Sequence, residues 1–164
     1  MMRINSSGLT LIELIVTVTI ISVLSLLVMP MAQMTAKRTK ELELKRNLRV
    51  VRNALDEYKI SYDRAVEEKK IVPGLDQVVS GYPATLQELV DGKDFGGLYN
   101  YKKKFLRTIP ADPFNPPKPD EEPEWSLRSY TDEPDSTAWG GEDVYDIHSL
   151  SKETAIDGTN YNEW

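Results

Sequence analysis

The side chains in this sequence that could carry chemistry are mainly carboxylates. The 164 residues include no cysteine, which excludes disulfides, thiolate metal sites and a cysteine nucleophile. One histidine, His148, cannot form a multi-histidine metal cage and gives little scope for histidine-based catalysis, so we expect it to be an ordinary surface or partly buried residue. Asp112 lies between prolines and is expected in a turn. These residue types argue against an enzyme.

The most unusual carboxylate is Glu13, because it lies in an apolar segment. It is the only charged residue in the 28 residues from Leu9 to Ala36. A helix over Leu9–Met29 would be about 32 Å long, close to the hydrocarbon thickness of a bilayer. A carboxylate at membrane depth costs about 2.5–3.5 kcal/mol and is by default functional. A secretory signal peptide would keep this core uncharged, so a membrane segment with a functional glutamate is predicted.

The residues around Glu13 resemble a known processing signal. The run Ser7-Gly8-Leu9-Thr10-Leu11-Ile12-Glu13-Leu14 is similar to the cleavage and methylation motif of type IV prepilins, with Leu9 where phenylalanine is usual. The resemblance implies cleavage between Gly8 and Leu9 by a prepilin peptidase, followed by N-methylation of Leu9. It also implies that Glu13 takes part in assembly and that Pro30 loosens the helix in the filament, since proline lacks an amide hydrogen.

Charge is distributed unevenly along the rest of the chain. Residues 37–70 carry 11 basic and 7 acidic side chains, whereas residues 111–164 carry 3 basic and 14 acidic ones. The net charge of −6 and the pI near 4.9 argue against a nucleic-acid partner.

A helical apolar stripe follows the membrane segment. Its members are spaced four and three residues apart, which is typical of an amphipathic helix. They are Leu44, Leu48, Val51, Leu55, Tyr58, Tyr62 and Ala65. The helix is expected to end near Lys69-Lys70, before Pro73-Gly74. We expect the stripe to dock onto the following globular part, with a coiled coil as the alternative.

The carboxy-terminal part is predicted to contain little regular structure. The spacing of Thr85 and Glu88 is that of a capping box, which predicts a short helix. Six prolines between residues 110 and 123 predict an extended loop. Residues 125–130 and 143–149 alternate like strands. Residues 71–164 hold only 16 Leu, Ile and Val, so their core needs the helix stripe and one α+β unit is expected.

The order of several short motifs narrows the resemblance. They are Tyr82-Pro83-Ala84-Thr85-Leu86, Ile109-Pro110-Ala111-Asp112-Pro113-Phe114, Tyr145-Asp146-Ile147-His148-Ser149 and the terminal Trp164. Together they resemble the major pseudopilin of type II secretion, the G-type subunit. This implies a type IV pilin-like α+β fold, in which a long N-terminal helix with a membrane half and an amphipathic half packs on a small antiparallel sheet.

The same resemblance implies the division of the chain. Residues 1–8 are the cleaved leader and 9–35 the transmembrane and polymerisation helix. Residues 36–70 are the amphipathic helix, and 71–164 are the periplasmic globular part with carboxy-terminal strands and a candidate calcium loop.

The implied function is structural. The protein is expected in the bacterial inner membrane as a single-pass protein, and then in a periplasmic pseudopilus that reaches the surface on overproduction. Expected partners are further copies of itself, the prepilin peptidase, minor pseudopilins, the inner-membrane assembly platform, and membrane lipid before assembly. The alternatives are a type IV pilin or minor pilin-like subunit for adhesion, motility or DNA uptake, and a single-pass periplasmic binding module that never polymerises.

The resemblance also implies a calcium site in the loop after the last strand. The candidate ligands are the carbonyl of Leu150, the hydroxyl of Ser151 and the carboxylates of Glu153 and Asp157. Calcium takes six to eight oxygen ligands of these kinds. This loop departs from the family in being shorter and in carrying Lys152. The alternative is a turn at Asp157-Gly158 that ties the tail to the body without an ion.

Overall fold

A computed structural model describes residues 10–73, 80–134, 136 and 138–164, without the side chains of residues 26–30. The chain divides into two compact units, Met1–Thr39 and Lys40–Trp164. The predicted cleavage residues Gly8 and Leu9 lie outside the described residues.

Helix α1 runs from Leu11 to Glu67 and contains 57 residues. In its first unit, serine and threonine hydroxyls donate to main-chain carbonyls three or four residues earlier, which satisfies these polar groups within the helix. The donors include Thr17, Thr19, Ser22 and Ser25. The helix is continuous through position 30. Loosening at Pro30 was predicted for an assembled filament and stays a prediction.

The predicted apolar stripe of α1 is confirmed in the second unit. All seven of its side chains are buried, and Leu44, Val51, Leu55 and Ala65 are fully so. The helix ends at Glu67, two to three residues before the predicted end. There the carbonyl of Ala65 accepts hydrogen bonds from the amides of Lys70 and Ile71. The stripe therefore supplies one side of the core, as the shortage of apolar residues after position 70 required.

Helix α2 covers Gln87–Asp91, where a short helix was predicted, but the capping-box prediction is wrong. Leu86 occupies the cap position and no side chain caps the helix. The Glu88 carboxylate instead accepts a hydrogen bond from the Tyr58 hydroxyl at 3.0 Å and pairs with Lys93 at 3.8 Å. Contacts with the rest of the fold replace the local cap.

Two short strands form the sheet. Strand β1, Ser126–Arg128, pairs antiparallel with β2, Asp146–His148, and Leu127 faces Ile147. Both lie within the predicted strand ranges but are shorter. A single 3₁₀ turn, Tyr161–Glu163, contacts β2. The long helix and small antiparallel sheet confirm the α+β class and agree with a pilin-like fold.

Candidate functional site

Glu13 lies in the first turn of α1. Its amide donates to the Thr10 hydroxyl at 3.3 Å, and its side chain is exposed. Within the described part of the chain, the carboxylate has no ion-pair partner. An acidic group in the first turn of a helix is stabilised by the helix dipole. The structure thus presents a charge that nothing described in the same chain neutralises.

The apolar side chains around Glu13 are exposed on all sides of the helix. Each large hydrophobic residue from Leu11 to Leu24 is at least half exposed. Apolar surface of this extent is typical of a protein or membrane contact. Among the described residues, no helix is long and apolar enough to cross a membrane. The predicted membrane segment, 9–35, also includes Leu9 and side chains that lie outside the described residues.

The loop proposed for calcium forms a hydrogen-bonded turn. Asp157 Oδ1 accepts from the amide of Thr159 at 3.0 Å and from its hydroxyl at 2.6 Å. The side-chain hydrogen bond from Thr159, followed by the main-chain one, lowers the pKa of Asp157. The Ala155 amide donates to the Thr159 carbonyl at 2.7 Å, and the Gly158 amide to the Ala155 carbonyl at 3.2 Å. This is the turn that was the alternative to an ion site.

Few oxygen ligands are available for a calcium ion in this arrangement. Ser151 Oγ accepts from the Glu153 amide, and the Glu153 carbonyl accepts from the amide of Tyr161. Among the residues that the structure describes, no three acidic, histidine or cysteine side chains come together around a possible metal. Glu153 and Asp157 would have to be completed by main-chain oxygens, such as that of Leu150, and by water. Calcium stays a prediction.

The same loop is attached to α1 by Glu41, which sequence reasoning missed. Glu41 Oε1 accepts from the Ile156 amide and from the Tyr161 hydroxyl, both at 2.8 Å. The Tyr161 ring is fully buried and stacks on Phe114 with centroids 3.9 Å apart. Burial, and then the hydrogen bond to Glu41, raises the pKa of the Tyr161 hydroxyl.

Arg52 joins α1 to the sheet and to the final residue. Its guanidinium contacts Asp146 Oδ1 at 2.7 Å, the Ile147 carbonyl at 3.0 Å and the main-chain oxygen of Trp164 at 2.6 Å. Arg128 binds the other oxygen of Asp146 at 2.8 Å. One carboxylate is therefore shared by two arginines, and this group holds β2 against the helix.

His148 lines an open cavity of about 530 Å³ beside these arginines. Burial, opposed by Asp146 but assisted by Arg128 and Arg52, lowers the pKa of His148. Ser136 also lines the cavity, but its hydroxyl donates to the Ala138 carbonyl at 2.9 Å, and the sequence has no second histidine. The two arginines and Asp146 can hold β2 in place, but the described residues around His148 do not form a catalytic group of side chains.

Asp112 is in the predicted turn but does more than the sequence indicated. Its carbonyl accepts from the Asn115 amide at 3.1 Å, and its Oδ1 accepts from the Phe114 amide at 2.8 Å. The side chain is buried, and Oδ2 accepts from the Ser149 hydroxyl at 2.5 Å. It therefore connects the proline-rich loop to the end of β2.

The prokaryotic N-terminal methylation motif matches residues 3–29, which include Gly8, Leu9 and Glu13. No curated protein and no solved structure matches the chain. The motif supports a pilin-like protein of the type IV pilin and pseudopilin class, whose members are structural and not enzymatic. It implies processing by a prepilin peptidase and pilus-like self-assembly.

Proposed function

We propose that this protein is the structural subunit of a periplasmic pseudopilus that drives type II protein secretion. In this proposal it is inserted in the inner membrane, cleaved after Gly8, methylated on Leu9 and then polymerised. Minor pseudopilins and the inner-membrane platform are its assembly partners. The observation that carries the proposal is an apolar helix, exposed on every side from Leu11 to Leu24, that lies within the matched methylation motif and directly follows the predicted cleavage site.

A filament would account for this exposed surface. Apolar surface of this extent is not left in water, because exposing it costs about 25 cal/mol per Å². In a single chain these side chains must be covered by lipid. Polymerisation exchanges lipid contacts for contacts with other copies, in which neighbouring helices also satisfy one another's polar groups.

Glu13 would select the register of this packing. The cleaved chain has a new amine at Leu9, and methylation leaves that amine positively charged. In the proposed filament, the Leu9 amine of one copy pairs with Glu13 of the next. A charge pair in a low-dielectric bundle requires close geometry, because an unpaired charge there is costly. Any other register of the helices would leave Glu13 and the Leu9 amine unpaired, so the charge pair favours a single helical arrangement.

A type IV pilin is the second candidate function, because the methylation motif is common to pilins and pseudopilins. A surface pilus would use the same processing and the same assembly. The two functions differ in which machinery polymerises the protein and in whether secretion depends on it. A periplasmic binding module, in contrast, would need no polymer.

Expression with a prepilin peptidase, an assembly ATPase and an inner-membrane platform tests the proposal. Sheared filaments that sediment and contain the cleaved chain are the expected result. Deletion of the gene in its own host should stop release of secreted proteins while leaving surface pili intact. Loss of surface pili with normal secretion would support the pilin function, and a processed chain that never sediments would support the binding module.

A further inference from the structure

One exposed face of α1 in the second unit carries opposite charges at its two ends. Residues 40–52 contain five basic and two acidic side chains, and residues 53–67 contain four acidic and two basic ones. Leu42, Arg49, Asp56 and Asp63 are spaced by seven residues and therefore share one face of the helix. All four side chains are exposed.

Several of these charges have no partner in the described part of the chain. Arg46, Arg49 and Asp56 form no ion pair there, whereas Asp63 pairs with Lys59. Arg52, on another side of the helix, is fully engaged with Asp146. Arg46, Arg49 and Asp56 therefore present unpaired charges on this side of the helix.

A cluster of tyrosines lies beside the acidic end of this face. Tyr82 has its ring centroid 6.1 Å from that of Tyr130 and 5.1 Å from that of Tyr145, and the last two are 5.4 Å apart. Tyr130 is 60% exposed and Tyr145 39%. The cluster lies along α1, because Gly81 lies against the Tyr62 ring and Asp146, which follows Tyr145, binds Arg52 one turn before Asp56. Burial, the neighbouring tyrosines and the negative charges of Asp56 and Asp63 raise the pKa of Tyr82.

We propose that this acidic aromatic patch, formed by Tyr82, Tyr130, Tyr145 and Asp56, binds the basic patch of a second copy, formed by Leu42, Arg46 and Arg49. Arginine is suited to this surface because its guanidinium pairs with carboxylates and also stacks on aromatic rings. Leu42 supplies apolar contact for the ring faces. The occupant is a second copy because one chain presents both complementary surfaces.

The two patches lie at different heights along the helix, so the contact is head to tail. Arg49 and Asp56 are seven residues apart, or about 10 Å along the helix axis. A copy displaced by that distance brings its Arg49 opposite Asp56 of the first copy. Each copy then still has one free patch, and such contacts continue indefinitely unless a rotation closes them. The inference rests on the proposed self-assembly and specifies the contact between globular parts.

Charge exchange in the full chain tests the contact. Arg49→Glu and Asp56→Arg, each alone, should lower the amount of sedimented filament at least about tenfold, since close charge pairs at interfaces are often worth that much. The double variant should recover to within about twofold of wild type, because the pair is restored with reversed signs. Lys102→Glu and Glu122→Arg make the same charge changes at other exposed sites and should have little effect. Normal assembly of both single variants would overturn the inference.

Cross-linking identifies the contact independently of filament yield. The chain has no native cysteine, so Arg49→Cys combined with Tyr130→Cys introduces one thiol on each patch. A short bis-maleimide applied to intact cells should then give a ladder of covalent multimers, whereas either single variant should stay monomeric. Arg49→Cys with Glu122→Cys is the matched control and should give no ladder.

The outcomes separate this inference from the proposed function. Filaments without a ladder overturn the head-to-tail contact but leave self-assembly intact. Dimers from a single-cysteine variant indicate a face-to-face contact and also overturn it. A wild-type chain that never sediments overturns the proposed function, and absence of a ladder in the same cells then overturns the contact as well.

Discussion

Glu41 and Tyr161 are 120 positions apart in sequence, yet a 2.8 Å hydrogen bond joins them. The same Glu41 oxygen also accepts from the amide of Ile156 at 2.8 Å. One carboxylate of α1 therefore holds both the carboxy-terminal loop and the 3₁₀ turn that follows it. Because Tyr161 is fully buried, its hydroxyl depends on this acceptor.

Removal of Glu41 should destabilise the second unit. Glu41→Ala leaves a buried hydroxyl unsatisfied, which costs about 1–3 kcal/mol in the free energy of unfolding. Tryptophan fluorescence of the full chain in detergent, followed during urea unfolding, measures the change. Glu43→Ala removes an exposed carboxylate from the same helix and is the control. Equal losses in the two variants would show that the hydrogen bond to Tyr161 adds nothing.

His148 should make stability sensitive to mild acid. Burial lowers its folded-state pKa below the ordinary 6.5, so between the two values the unfolded chain binds the proton more readily. Stability from this residue is complete above about 6.5 and is lost as the pH falls through the folded pKa. The melting temperature should drop more between pH 7.5 and 5.5 in wild type than in His148→Gln. Parallel pH profiles would contradict the prediction.

Calcium, if it binds, should act through the carboxy-terminal loop. We expect affinity in the weak extracellular range, about 10⁻⁴–10⁻³ M. Chelation should then lower the melting temperature of the full chain, and Asp157→Ala should abolish the difference. Thr159→Val is a useful second variant, because it removes the hydroxyl that bonds Asp157 while leaving the carboxylate. A melting temperature that millimolar calcium does not change would leave the turn alone.

Gly8 should be required for processing. Glycine allows close approach of an extended backbone, whereas a β-branched side chain at this position would block it. Gly8→Val should therefore keep the leader, which mass spectrometry of the membrane fraction detects as an uncleaved chain. Ser7→Val places a side chain of the same size one position earlier, and this variant should be cleaved more readily than Gly8→Val. Normal mature mass in Gly8→Val would refute the assigned cleavage site.

Glu13 should be required for assembly but not for cleavage. In the proposed filament, removal of one partner of a buried pair costs about 3–5 kcal/mol. Glu13→Ala should thus be processed and inserted normally but yield little sedimented polymer. Glu13→Gln keeps the size of the side chain and should fail similarly, since the charge is what pairs. Wild-type yields from both variants would leave the carboxylate without an assembly role.

Local pattern predicted much of the fold. The stripe from Leu44 to Ala65 was recognisable because the apolar residues of an amphipathic helix recur every three or four positions. All its members are buried. The two strands were located but overestimated in length, since alternation does not show where pairing ends. The capping box failed because the Glu88 carboxylate contacts Tyr58, 30 residues away.

Contacts between distant residues could not be predicted in this way. Glu41 and Arg52 looked like ordinary solvent-facing charges on the helix, although each binds groups more than 90 positions away. A sequence pattern specifies which side of a helix is apolar, but not which loop returns to its polar edge. The buried Asp112 was recognised only as a turn residue for the same reason.

The mechanical consequence of the α1 stripe concerns load. The sheet contributes only two strands of three residues, whereas seven side chains of one helix are packed into the core. Force applied along the helix axis in the second unit is shared by these packed contacts in shear, because close-packed interiors transmit strain. Sequential rupture of hydrogen bonds, one at a time, is typical of a long β-hairpin that is pulled at its end, and the sheet here has only two short strands. This unit is therefore expected to resist axial pulling until many contacts break together.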